Sequence, residues 1–114
     1  MDLESFELVI LRRPPDARQY DEETLDRIQE EHLAYLGWLR SAGHIVTNGP
    51  VLDQPDESMR GIAFYRTGSL EEARRLAEQD PAVLAHRLTI EVMTWWCPPG
   101  TMIKDGHPVT VSDD

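Results

Sequence analysis

Four histidines and a single cysteine are the side chains of this 114-residue sequence best suited to proton transfer or nucleophilic chemistry. Of these, His32 stands out by its company. On a helix that turns 100° per residue, Leu25, Ile28, Leu36 and Leu39 all fall within about 40° of it. An imidazole therefore occupies the centre of an apolar stripe, where leucine would pack better. Burial lowers a histidine pKa from about 6.5, and a neighbouring carboxylate raises it. A ring held between those two influences can take and return a proton near neutral pH. The competing reading is a core histidine whose polar atoms are simply satisfied.

The catalytic reading needs a carboxylate within reach. Glu30 and Glu31 point away from the stripe, by about 160° and 100°. Gln29 and Tyr35 flank it but are not anions at pH 7. Asp80 is the best candidate from elsewhere in the chain. An aspartate before Pro81 reads first as a helix N-cap. Its two oxygens can nevertheless hold a backbone N–H and an imidazole together, once the end of the second helix lies beside the first.

Other chemistries lack their residues. No histidines are paired at i, i+4, and there is no Cys-x-x-Cys, so a preformed zinc site has weak support. Glycine-rich phosphate loops, the dinucleotide turn and Gly-x-Ser-x-Gly are absent too. The sequence thus calls for no cofactor. Cys97 follows a tryptophan pair near a strand end and reads as a bystander.

The elements that must position these residues follow from local pattern. Phe6 to Arg12 reads as a strand, broken by Pro14-Pro15. Asp21 caps a long helix whose apolar period runs from Leu25 to Leu39, and Gly43 stops it. Residues 44–51 form a second strand ending at Gly49-Pro50, and 59–67 a third, joined by a turn-rich segment. Ser69 to Glu72 is a capping box that opens a second helix. Asp80-Pro81 begins a short turn or helix, and 88–96 is the last strand. From 98 to 114 the composition shifts to proline, glycine and acid, and reads as an extended tail lying on a partner subunit. Residues 1–97 read as one domain.

The order β-α-β-β-α-β predicts a ferredoxin-like α+β fold: a four-stranded antiparallel sheet with two helices on one face. Yet both strand faces are apolar. Phe6, Leu8 and Ile10 oppose Val9 and Leu11, and Ile62 and Phe64 oppose Ala63 and Tyr65. The uncovered face is expected to meet a second copy, giving a homodimer. The net charge of −10 disfavours nucleic acid and anionic lipid. No stretch is long and apolar enough to span a bilayer, and no signal sequence is visible. With one cysteine and no possible intrachain disulfide, a cytoplasmic protein is expected.

"HLAYLGWLRSAGHIVTNGPV", "GIAFYRTGSLEEARRLAEQDP" and "TIEVMTWW" together resemble the YciI-like (YCII-related) proteins. His32, Gly43, Gly49-Pro50, Ser69, Glu72-Ala73 and Asp80-Pro81 match that pattern in order, over residues 6 to 96. The resemblance implies a dimeric α+β barrel, related in fold to muconolactone isomerase, with a His–Asp pair as active site, carried here by His32 and Asp80. The loop at 12–20, the connection at 52–58 and the tail depart from the pattern.

The expectation is a cofactor-independent enzyme of lyase or isomerase type. His32 would shuttle a proton on a small cyclic or enolisable molecule, and Asp80 would fix its tautomer. Asn48, Gly49 and Pro50 at a strand end, Tyr65 and Trp95 as an aromatic wall with Trp96, and Arg66 toward an anionic group are the candidate substrate-binding residues. A non-catalytic ligand-binding dimer and a structural module are the alternatives.

Overall fold

A computed structural model describes residues 2–102. The elements run β1 (Glu4–Arg12), α1 (Glu22–Ser41), β2 (Ile45–Pro50), β3 (Met59–Tyr65), α2 (Leu70–Glu78), α3 (Pro81–Leu84) and β4 (Thr89–Cys97). The four strands form one sheet in the order β2-β3-β1-β4, antiparallel at every pairing. This is the expected ferredoxin-like arrangement, with α3 as an extra turn between α2 and β4. Of the expected tail, residues 103–114 lie outside the described residues. Its first part leaves β4 with the Gly100 N–H donating to the Glu4 carboxylate at 3.0 Å.

Local chemistry sets the helix ends. The Asp21 side chain accepts from the Thr24 N–H at 3.0 Å, and Glu22 and Glu23 place negative charge at the positive end of α1. At the other end Gly43 adopts φ +84°, a left-handed conformation that costs glycine little. The N–H groups of Gly43 and His44 then satisfy the carbonyls of Arg40 and Leu39 at 3.0 and 2.9 Å. α2 departs from the expected capping box in one respect. Ser69 Oγ accepts from the Glu72 N–H at 3.1 Å, but the Glu72 carboxylate does not return to Ser69. Two guanidinium N–H groups of Arg75 hold it instead, at 2.9 and 2.5 Å, a stronger charge-assisted pairing than one backbone donor offers.

The core lies between the helices and one sheet face. Val9, Leu11, Ile45, Ala63 and Tyr65 are buried there against Ile28, Leu36, Leu39, Ala73, Leu76 and Ala77. On the opposite face, register sets Leu8 beside Phe64 and Met93, Ile10 beside Ile62, and Phe6 beside Trp95. Phe6 is fully buried by its own neighbours, while Leu8, Ile10, Ile62 and Phe64 remain part-exposed and Met93 exposed. Both faces are apolar, as the strand sequences predict.

Candidate active site: a buried histidine–aspartate pair

α1 presents one buried line, Ile28, His32, Leu36 and Leu39. That line carries His32 to where α2 gives way to α3. α2 ends at Glu78, and Pro81 starts α3, so Asp80 forms the hinge between them. Proline at the first helical position leaves Asp80 extended, with its side chain turned back over α3. Its Oδ1 accepts the Ala82 N–H at 2.9 Å, as an N-cap does. The same carboxylate accepts the His32 Nδ1–H, with Oδ2 at 2.7 Å and Oδ1 at 2.9 Å. His32 is 8% exposed and Asp80 only 2%.

A carboxylate on Nδ1 fixes the neutral ring as the Nδ1–H tautomer and leaves the lone pair on Nε2. Nε2 bonds no described residue, and among the described residues no buried side-chain polar atom lacks a partner. Nε2 is therefore the atom through which the ring meets whatever lies beyond the pair. In this state the arrangement offers a base at Nε2; once protonated it offers an acid whose positive charge Asp80 balances.

Two tyrosines border the pair. Tyr35, expected as a possible partner of His32, donates instead to the Leu76 carbonyl at 2.7 Å, which ties α1 to α2 one turn before Asp80. Tyr65 is 2% exposed on the helix side of β3; its hydroxyl bonds no described residue and, since no buried polar atom among them is unpaired, is the part of the side chain that reaches the surface. Burial, then the Asp80 charge, then Tyr35 raise the Tyr65 pKa well above the ordinary phenol value. Burial and then Asp80 raise that of Tyr35 as well, against a smaller opposing effect of Arg75. Both phenols thus stay protonated, as hydrogen-bond donors, throughout the neutral range.

The remaining predicted residues lie elsewhere. Asn48 sits opposite Ala63, and its side chain accepts from Arg40. Gly49 and Pro50 line a hollow of about 260 Å³ with Asn48, Thr47, Val51, Ile62 and Phe64. Neither His32 nor Asp80 lines that hollow, which lies toward the face away from the helices. Trp95 packs against Phe64 and Phe6 on that same face, at centroid distances of 4.8 and 6.3 Å, and the Arg66 guanidinium lies 5.9 Å over Phe6. The expected aromatic wall is therefore not formed within the chain. Successive strand residues point to opposite faces, which separates Trp95 from Trp96 and from Tyr65. Of the candidate binding residues, only Tyr65 stays with the pair.

One residue passed unnoticed in the sequence. Glu7 is buried on the helix side of β1, and its Oε1 accepts from the Thr67 N–H and the Thr67 hydroxyl at 2.7 and 2.5 Å and from the Gly68 N–H at 3.2 Å. It clamps the turn that launches α2, and so the helix that leads to Asp80. The available signal was a lone acid at an inward position of an otherwise apolar strand.

A family model for the YCII-related domain matches residues 7–95. The chain belongs to the YCII-related family. All the positions that carried the resemblance, His32 and Asp80 included, fall inside the matched YCII-related domain. Among solved structures, the chain is similar to 5-chloro-2-hydroxyhydroquinone dehydrochlorinase (TftG) from Burkholderia phenoliruptrix AC1100, in complex with 2,5-dihydroxybenzoquinone. The two share 21% identity over 79% of this chain and 92% of that one, with a TM-score of 0.58. At that identity the likeness is one of fold. No curated protein is similar in sequence.

Proposed function

We propose that this YCII-related domain is a cofactor-independent enzyme of lyase or isomerase type, acting on a small cyclic or enolisable molecule. The observation that carries the reading is the buried bond from His32 Nδ1–H to both Asp80 oxygens, which leaves Nε2 as the working atom. Nε2 accepts a proton from a carbon beside a carbonyl, and the C–H electron pair enters the enolate. The imidazolium so formed is balanced by Asp80. The enolate then collapses by expelling a leaving group, or takes the proton back at another carbon. The Tyr65 hydroxyl, kept protonated by burial, donates to the enolate oxygen. The similar fold of a dehydrochlorinase that holds a dihydroxybenzoquinone supports a hydroxylated ring as substrate class.

A homodimer is part of this reading. Leu8, Ile10, Ile62, Phe64 and Met93 form an apolar sheet face that a second copy covers. Gly49, Pro50, Arg66 and Trp95 then belong to that interface, and Asn48 to the contact between α1 and β2. No helix among the described residues is long and apolar enough to cross a membrane, and a single free cysteine, Cys97, suits the cytoplasm.

Deuterium exchange tests the chemistry without knowledge of the natural substrate. Hydroxylated quinones and cyclic ketones in D₂O should lose C–H signal with the protein present, and His32→Ala should abolish this while the fold is kept. Exchange unchanged in His32→Ala would overturn the mechanism. Binding of the same compounds without exchange would favour a non-catalytic ligand-binding protein.

A further inference from the structure

The chain carries 21 acidic residues against 11 basic ones, so each arginine has acids to choose from. Arg12, Arg27, Arg74 and Arg75 each hold a carboxylate. Arg13, Arg60 and Arg87, like Arg18, Arg40 and Arg66, form no ion pair among the described residues; what sets the three apart is that they gather at one end of the sheet. The Arg13 N–H donates to the Ser58 carbonyl at 2.7 Å, which sets Arg13 beside the start of β3 and so beside Arg60. Its Nε donates to the Arg87 carbonyl at 3.0 Å, which brings in the start of β4. Asp56 and Glu91, acids of the same region, are both taken by Arg12.

Such a cluster of like charges costs free energy. Burial, then the charge of Arg87, then that of Arg60 lower the Arg13 pKa, so the Arg13 cation is less stable for the presence of the other two. The backbone holds the cluster together regardless. The Arg87 N–H bonds the Ala82 carbonyl at 2.9 Å, and the Ala82 N–H bonds Asp80 Oδ1 at 2.9 Å. The cluster is thus one short helix away from the His32–Asp80 pair.

We propose that Arg13, Arg60 and Arg87 form a binding site for a small oxyanion, the carboxylate or phosphate group of a small molecule. Arg13 keeps both terminal nitrogens of its guanidinium free of described partners, and Arg60 keeps its whole fork, so both can bind two oxygens side by side. Arg87 uses one nitrogen on the Arg18 carbonyl, at 3.1 Å, which steadies it. The bound anion removes the mutual repulsion. The site stands whether or not His32 is catalytic.

The test is an NMR titration of the arginine Nε–Hε signals in the full chain, with inorganic phosphate and separately with acetate, at constant ionic strength. The signals of Arg13, Arg60 and Arg87 should move together and saturate, while that of Arg74 stays still. Arg60 is exposed, so Arg60→Gln should keep the fold and weaken the binding roughly 10- to 100-fold, the amount that one charge-assisted hydrogen bond carries. Arg13→Gln should do the same. A response to phosphate alone identifies a phosphate ligand, and an equal response to acetate a carboxylate one. No saturation with either anion by about 50 mM, or equal binding in Arg60→Gln and the unsubstituted chain, would overturn the proposal.

Discussion

His32 Nδ1 donates to a carboxylate 48 residues further along the chain, with both oxygens of Asp80 within 2.9 Å. Asp80 does two jobs with one side chain, because the same Oδ1 also caps α3 through Ala82. Substitution can separate the two. Asp80→Asn keeps a capping oxygen but loses the charge. It should fold, lose about 1.5–3 kcal/mol of stability, and alter the His32 tautomer in ¹⁵N spectra. Asp80→Ala should lose about 1 kcal/mol more through the missing cap. Unchanged ring nitrogen shifts in Asp80→Asn would show that the pair does not set the tautomer.

The raised Tyr65 pKa predicts a loss of stability in alkali. The folded state holds this phenolic proton more tightly than the unfolded chain, whose tyrosines titrate near pH 10. The contribution is therefore complete below about pH 10 and fades as the pH climbs toward the folded value. Unfolding free energy should fall by up to about 1.4 kcal/mol per pH unit there. Tyr65→Phe should flatten the slope in urea unfolding series at pH 9 to 11. An equal slope in both proteins would contradict the assignment.

Glu7→Ala removes the acceptor for the Thr67 and Gly68 N–H groups, and a buried donor left alone costs about 1–3 kcal/mol. A total loss of about 3 kcal/mol is expected in urea unfolding. Amide exchange should accelerate at Thr67, Gly68 and the first turn of α2. Exchange unaltered at those amides would mean that the clamp is not needed to hold the turn.

Leu8 lies between Phe64 and Met93 on the open sheet face, where a second copy is expected. Leu8→Lys should give a folded monomer by light scattering at micromolar concentration, and the unsubstituted chain a dimer. A monomeric unsubstituted chain would defeat the homodimer.

The sequence by itself determined the elements and their order. Asp21, Gly43 and Ser69 mark helix ends through bonds that reach only three or four residues, so local reading suffices for them. The alternation of Phe6 to Leu11 and Ile62 to Tyr65 told which residues share a face, because a strand has a period of two. The stripe around His32 showed that its ring turns inward, by the same kind of argument.

Only the tertiary structure decided what meets what. Gln29, Tyr35 and Asp80 were all conceivable partners for His32. The choice depended on how closely α1 approaches the end of α2, a distance set by side-chain packing and by the Tyr35–Leu76 bond. Trp95, Trp96 and Tyr65 were expected to share one aromatic wall, and the pleat divided them. Glu7 looked like an ordinary strand residue until the turn at Thr67, 60 residues away, came to lie on it. Periodicity gives a side chain its direction. Its partner is fixed by chain closure over long separations, and no local pattern records that.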